Sequence, residues 1–434
     1  MLALEPLLHT LAPWRHAPAW HVAFSGGLDS TVLLHALAAL ARQHTLPPLH
    51  AIHVHHGLQA AADAWPAHCQ AICQGLGVPL HVARVQVGQQ ASLEEAARQA
   101  RYALFEQQLA PGELLLTAQH RDDQAETLLF RLLRGAGVRG LAGMPQQRRL
   151  GQGTLLRPLL GVPRDALLAY ANTHGLQWVE DPSNSDQQFT RNYLRQQVFP
   201  LLAGRWPQAS ANMARAAGHL SEALGLLEEL AAEDLAGASA DATFAWLQLP
   251  ALRLPPLQAL SPARQRNALQ AWLAPLSRLP DSQHWAGWES LRDAGPDAAP
   301  AWVLGDGEMR RAAGQLWWLA GDWLRQPEGG QAWLDMSRPL PLPGNGEVHW
   351  QGARPEGPVQ VHYRQGGETL HIAGRGRRDL KRLLNESGLP PFVRQRLPLL
   401  FVDGQLHAVA NLSGMGATSG QLKWLPPTSD QRLR

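Results

Sequence analysis

With 434 residues, an apolar fraction of 45% and a net charge of only +2, the chain is too long for one ordinary core and suits two or three packed domains. No run of about 18 apolar residues occurs, so no membrane-spanning helix is expected. The opening Met1-Leu2-Ala3-Leu4-Glu5-Pro6 lacks the basic start and apolar stretch of a secretory leader, which makes the cytoplasm the simplest compartment.

The first half alternates strand and helix signals. Trp20 to Phe24 is a short apolar run, and Thr31 to Arg42 follows as a Leu- and Ala-rich helix. Leu49 to Val54 and Ala61 to Leu76 repeat the pair, as do Pro79 to Val85 with Ser92 to Leu109, and Glu113 to Thr117 with Asp122 to Leu133. Strands separated by single helices predict a parallel sheet covered on both faces. In such sheets ligands bind beyond the C-terminal ends of the strands. The two cysteines, Cys69 and Cys73, share one face of the second helix and lack the further ligands of a metal site. They read as small packed apolar residues.

Beyond Arg157-Pro158 the pattern changes. Pro163 to His174 reads as a helix, residues 180 to 188 as a polar loop, and a further helix ends near Pro200. Ala209 to Leu235 is a long helix with Leu220, Leu224, Leu227 and Leu230 at helical spacing. A mixed region reaches about Gly330, and Pro339 to Gly346, rich in proline and glycine, reads as a linker to a small α+β domain.

Charge is unevenly spread. From Arg131 to Arg215 there are 11 arginines against 4 carboxylates, a net +7; from Ala216 to Gly330 the balance is −6; from Arg354 to Arg396 it is +5. Two basic segments on either side of an acidic one suit a polyanion touched at two places, or two solvated faces.

Three polar clusters lie at predicted strand ends. The first, Ser25-Gly26-Gly27-Leu28-Asp29-Ser30, links a strand to a helix. Its glycines let an anion approach backbone N–H groups and the helix start. Ser25 and Ser30 add hydroxyls, and Asp29 can hold Mg²⁺ between phosphate oxygens. It has neither the Gly-Lys-Ser/Thr ending of a Walker A loop nor the G-x-G-x-x-G of a dinucleotide fold. It resembles the PP-loop that grips the pyrophosphate half of ATP.

The second is His53-Val54-His55-His56-Gly57. Strand alternation sends His53 and His55 to one face and His56 to the other, so a nucleotide-contacting strand end is favoured over a metal site. The third is His120-Arg121-Asp122-Asp123-Gln124-Ala125-Glu126-Thr127. Asp122 suits an N-cap or first-turn place. Asp123 and Glu126 share a helix face, where paired carboxylates hold Mg²⁺, bind an amine, take a proton or simply cap a solvated turn. Later, Arg191-Asn192 and Arg195 open a helix against its dipole, which suits an anionic partner or a solvated helix equally.

Together with Glu95-Ala96-Ala97-Arg98, Arg101-Tyr102, Arg134-Gly135, Arg157-Pro158, Asp181 to Arg195, Gly366-Gly367-Glu368, Lys381-Arg382-Leu383-Leu384 and Pro390-Pro391 to Pro398-Leu399, these clusters resemble the tRNA(Ile)-lysidine synthetase family of the PP-loop ATP pyrophosphatases. The middle, about 216 to 330, matches only by position and helical character. One departure is Gln119, where many members carry a second histidine before His120.

The resemblance implies an α/β fold: an N-terminal parallel-sheet PP-loop domain, adenine nucleotide α-hydrolase-like, over 1–205, a mainly helical middle domain over 206–335, and a small α+β, tRNA-binding C-terminal domain over 345–434. It implies that ATP adenylates O2 of the wobble cytidine of a CAU-anticodon tRNA(Ile), that free lysine then attacks C2, and that AMP and pyrophosphate leave. The implied catalytic residues are Asp29, His120, Asp123, Glu126 and Arg191. ATP would be bound by Ser25, Gly26, Gly27, Leu28, Asp29, Ser30 and His53, and Mg²⁺ by Asp29 and Asp123. A tRNA thiolation enzyme, a small-molecule amidotransferase relative and a non-catalytic tRNA- or nucleotide-binding protein are the alternatives. The sequence leaves monomer and homodimer both open.

Overall fold

A computed structural model of the protein describes residues 2–55, 57, 63–85, 93–280, 284–295, 298–372, 376–412 and 420–428. His56 of the second cluster and the expected helix starts at Ala61 and Ser92 lie outside the described residues, as do Arg375 of the C-terminal basic segment and the Glu95 side chain. The chain forms two compact units, residues Met1–Leu226 and Leu227–Arg434.

The first unit holds a six-stranded sheet made of β1 (Trp20–Ala23), β2 (Leu49–His55), β3 (Leu80–Arg84), β4 (Leu114–Leu116), β5 (Gln147–Leu150) and β6 (Gly153–Leu156). The spatial order is β3-β2-β1-β4-β6-β5. All neighbours are parallel except the edge pair β5–β6. The helices are α1 (Leu4–Leu11), α2 (Leu28–Gln43), α3 (Trp65–Leu76), α4 (Leu93–Gln108), α5 (Arg121–Leu133), α6 (Val138–Leu141) and α7 (Arg164–Thr173).

The four strands and helices expected from residues 20 to 133 are present, with ends shifted by a few residues. Strand β1 forms because Trp20, Val22 and Phe24 alternate into the core, each no more than 1% exposed. One large apolar cluster joins β1 to α2, α3 and α7; a smaller one sets Phe105 and Leu109 of α4 against Ile52, Leu115 and Leu155. The strand β1 lies between β2 and β4, so the connections leave it in opposite directions there. This topological switch opens a crevice at the C-terminal ends of β1 and β4.

Past α7 come α8 (Thr190–Tyr193), a five-residue π turn (Leu194–Val198), α9 (Phe199–Arg205) and α10 (Ala209–Gly237). Pro200 offers no N–H to the carbonyl one turn before it, and its ring crowds that carbonyl, which is a physical cause of the widened turn.

The second unit differs from the expectation in two respects. Alongside helices Pro262–Leu273 and Trp285–Asp293, the middle region builds a four-stranded antiparallel sheet from Ala251–Arg253, Gln315–Leu319, Gly307–Ala312 and Ala301–Leu304. Its Trp317 and Leu319 share one core with Val361, Leu370, Leu384 and Leu400 of the C-terminal region. The Pro339–Gly346 stretch is a hairpin turn and not a linker: Leu340–Pro341 pairs with Glu347–Gly352, and Leu342 N donates to Gly346 O at 2.7 Å. Asn345 within it is fully buried and donates from its amide to Arg396 O. Proline and glycine mark tight turns as strongly as they mark linkers. Among the described residues no helix is long and apolar enough to cross a membrane.

Candidate active site

The turn after β1 is self-braced. Gly26 sits at φ +85°, a conformation that costs a side-chain-bearing residue about 1–2 kcal/mol. A Cβ there would also come within 2.9 Å of Cys69 Sγ. Gly27 N donates to Ser25 Oγ at 3.2 Å, Ser25 N donates to Ser30 Oγ at 3.3 Å, and Ser30 Oγ donates to Gly27 O at 3.1 Å. The two hydroxyls are 3.0 Å apart. Val179 N donates to Gly26 O and ties in the segment after α7. No side chain caps the start of α2, which begins one residue after Gly27. That combination leaves an anion-binding helix start behind a glycine turn.

His53 lies beneath this turn. It is 2% exposed, and its Nδ1 is 2.9 Å from Phe24 O. It supports the backbone that leads into Ser25. Cys69 and Cys73 pack in the same core, fully buried. Burial pushes their thiols up to about 12 and about 11, helped for Cys69 by its neighbour Cys73. Neither is a thiolate at neutral pH, as the sequence expects of packing residues.

The second wall is the start of α5. Here Asp122 takes the first-turn place that the sequence also allowed, and the cap is His120. Its Nδ1 accepts from the N–H groups of Asp122 (3.2 Å) and Asp123 (3.4 Å), and Asp123 Oδ2 accepts from His120 N at 3.0 Å, a capping box. With its lone pair used at Nδ1, the ring carries its proton on Nε2. Nε2 stands 3.4 Å from Asp123 Oδ2 and 3.7 Å from Asp29 Oδ2. His120 thus stands between the glycine turn and the carboxylate helix, its Nε2 near both carboxylates and hydrogen-bonded to neither.

Asp122 is structural. It accepts from Arg164 N at 2.9 Å and from Ser210 Oγ at 2.6 Å. Burial opposes its charge, but these two donors outweigh that and hold the carboxyl below its ordinary value. Asp29 behaves oppositely. Burial, helped by Asp123, raises its carboxyl against the pull of His120, Arg164 and Arg195. Its Oδ1 is buried without a hydrogen-bond partner.

Arg195, on the π turn, closes the site. Its Nε meets Glu126 Oε1 at 2.7 Å, while Nη2 meets Glu126 Oε2 at 3.0 Å and Asp123 Oδ1 at 2.9 Å. Burial raises the Glu126 carboxyl more than Arg195 lowers it. Arg191, the arginine favoured from sequence, is exposed and reaches neither carboxylate; it stands near Arg131 instead. Gln119 borders the capping histidine, and its Oε1 is buried without a partner.

Mg²⁺ fits this donor set. Asp29 Oδ1, buried and without a hydrogen-bond partner, is a carboxylate oxygen with free capacity for a cation. Among the described residues no group of three or more His, Cys, Asp or Glu forms a metal cage by itself. Mg²⁺ needs no such cage, since it takes one or two carboxylates and completes its shell with phosphate and water. Asp123 is the weaker ligand, because both its oxygens already accept hydrogen bonds.

Residues 4–202 match the family model described as PP-loop domain, 252–317 the TilS substrate binding domain, and 359–423 the TilS substrate C-terminal domain. The tRNA(Ile)-lysidine synthase of Pseudomonas putida is 64% identical, over 98% of this chain and 99% of that protein. The chain belongs to the tRNA(Ile)-lysidine synthase family. The Pseudomonas fluorescens relative is 62% identical over 99% of this chain and 98% of its own length, and that of Alkalilimnicola ehrlichii 45% over 95% and 93%. The fold class expected from the sequence holds at the level of an N-terminal PP-loop domain on a parallel sheet, a helix-containing middle and a β-rich C-terminal family domain.

Proposed function

We propose that the crevice between the glycine turn and the start of α5 performs both half-reactions of lysidine synthesis. The chain is a family ligase that uses ATP and acts on tRNA(Ile). The observation that carries the residue assignment is the convergence of Asp29, His120, Asp123, Glu126 and Arg195 at the sheet's switch point.

In this reading residues 25–30 and the uncapped start of α2 receive the β and γ phosphates of ATP. Cytidine O2 attacks the α phosphorus, the bond to the bridging oxygen breaks, and pyrophosphate leaves. Oriented N–H groups and hydroxyls stabilise the charge that builds on the leaving group. Mg²⁺, when bound, neutralises phosphate charge as a Lewis acid. Asp29 would hold it, with Asp123 as a second ligand. His120 stands between Asp29 and Asp123 and orders the start of α5 through its capping Nδ1.

In the second half-reaction the ε-amine of free lysine attacks C2 of the adenylated cytidine and AMP departs with the C2–O bond. The amine must first lose a proton. Asp123 is the carboxylate that meets it. Glu126, closed by two bonds from Arg195, aims that arginine. His53 acts from beneath the turn, and Arg191 serves the RNA and not the chemistry.

The buried thiols speak against the thiolation alternative, which needs reactive cysteines. We retain the division into a catalytic part (1–205), a middle part (206–335) and a C-terminal tRNA-binding part (345–434), the last two sharing one core. A cytoplasmic location, where ATP, lysine and tRNA coexist, belongs to the same proposal. A homodimer remains a proposal for sedimentation to test. The chemistry is tested by Asp123→Ala: pyrophosphate release should survive better than lysine transfer. Equal loss of both would remove Asp123 from the amine's path.

A further inference from the structure

Away from the carboxylates, one tyrosine gathers three arginines. The guanidinium carbon of Arg98 is 4.8 Å from the Tyr102 ring centroid, and that of Arg148 is 5.1 Å away. Arg157 lies close enough to the same phenol to act on its charge. These residues come from α4, the edge strand β5 and the end of β6. No described carboxylate pairs with Arg98, Arg148 or Arg157. Arg157 is only 3% exposed, gives one Nη1 bond to Pro145 O, and has a buried Nε with no partner.

Three cations held close with no counter-charge among the described side chains is an arrangement that an anion would stabilise. Burial lowers the Arg157 guanidinium, and Arg148 and Arg98 lower it further. For Tyr102, burial alone would raise the phenol, but Arg98, Arg157 and Arg148 outweigh it. The ring fixes the planes of Arg98 and Arg148, which pre-organises their donors. The charges of Arg98 and Arg191 both act on Arg131, whose Nη1 donates to Gly140 O and Gly143 O. The band ends one helical turn before Arg195, the arginine on the catalytic carboxylates.

We propose that Tyr102, Arg98, Arg148 and Arg157 form a phosphodiester dock that takes the tRNA backbone beside the nucleotide being modified, with Arg131 and Arg191 leading from it to the reaction site. This deepens the tRNA reading above and rests on it. A dock of this type binds sequence-independently and positions the strand, while the base is read elsewhere.

The test uses full-length protein, tRNA(Ile) transcript and ATP. Binding of tRNA by the unaltered protein checks the underlying reading; comparison with variants checks the dock. Arg98→Ala/Arg148→Ala should weaken tRNA binding about tenfold and lower the slope of log affinity against log salt by about 1 to 2. Its affinity for ATP should not change. Tyr102→Phe keeps the ring and should bind as the unaltered protein does, whereas Tyr102→Ala should resemble the double variant. As a check that needs no variant, tRNA should shield Arg98 and Arg148 from phenylglyoxal. Unchanged affinity and slope in a folded double variant, or unshielded arginines in a saturated complex, would overturn the dock. So would lost ATP affinity with tRNA binding intact, which would assign the cluster to free phosphates.

Discussion

Arg195 grips Glu126 from 69 positions away, Nε to Oε1 at 2.7 Å and Nη2 to Oε2 at 3.0 Å, and spans to Asp123 with the same Nη2. Glu126 is buried, so removing its partner strands a carboxylate away from water. Arg195→Ala is expected to destabilise the first unit by about 1–3 kcal/mol, a figure kept low because the arginine is partly exposed. It should cut turnover by about a hundredfold or more. Arg191→Ala should leave stability unchanged and weaken only tRNA affinity. Thermal unfolding and steady-state rates of the two variants separate these roles, and equal behaviour of the pair would refute the assignment.

Asp29 and Asp122 should respond to pH in opposite directions. The Asp29 carboxyl is raised by burial, so its charged form burdens the fold at neutral pH. The burden disappears as pH falls through the window between its raised folded value and the ordinary carboxylate value. Asp29→Asn should therefore raise the unfolding temperature at pH 7, by a margin that closes on acidification, while abolishing pyrophosphate release. Asp122 is lowered by its donors Ser210 and Arg164 despite burial. Its contribution is present above the ordinary carboxylate value and lost as pH falls through the lowered one. Asp122→Asn should destabilise at pH 7. Calorimetry from about pH 2 to about pH 8 on both variants spans both windows and checks the signs.

Gly26→Ala meets two obstacles at once, a φ of +85° and Cys69 Sγ at 2.9 Å. ATP binding should fall at least about tenfold, since the turn must distort. Adding Cys69→Ala should relieve the clash but not the dihedral, giving partial recovery of ATP affinity by titration. Full recovery would mean that crowding alone matters.

Much of this site was legible in the sequence because its groups are local. The glycine turn and the His120 to Thr127 run each lie at a strand end, and strand–helix alternation brings strand ends together. Less legible were features set by distant packing. Arg191 and Arg195 are one helical turn apart and chemically alike, and only the π turn before Pro200 decides which reaches Glu126. The edge strand Gln147–Leu150 contains Gln147, Arg148 and Arg149, too polar to read as a strand. The sheet in the middle region escaped notice because its tryptophans fit a helical core equally well. The first-turn place open to Asp122 holds, but His120 as the cap was not legible, because a histidine caps only when its lone pair is free to accept.

The C-terminal family domain carries Arg377 and Arg378 on an exposed strand, followed by Lys381 and Arg382 on the next helix. A truncation after Pro339 would cut a shared core, so point changes are the sounder probe. Arg377→Ala/Arg378→Ala should weaken tRNA binding and reduce its salt slope by about 1 to 2, with ATP affinity unchanged. Filter-binding titrations at several salt concentrations measure both, and a slope equal to that of the unaltered protein would leave these arginines as solvated surface.

The central claim is that one crevice joins lysine to a cytidine of tRNA(Ile) at the expense of ATP. Its most direct test is to incubate the full-length protein with ATP, isotope-labelled lysine and tRNA(Ile) transcript, then digest the RNA and weigh its nucleosides. The account predicts one cytidine that gains lysine, with AMP and pyrophosphate released in equal amounts, and no gain with Asp123→Ala. ATP cleavage with no lysine on the RNA, or lysine transfer that persists in Asp123→Ala at the unaltered rate, would contradict it.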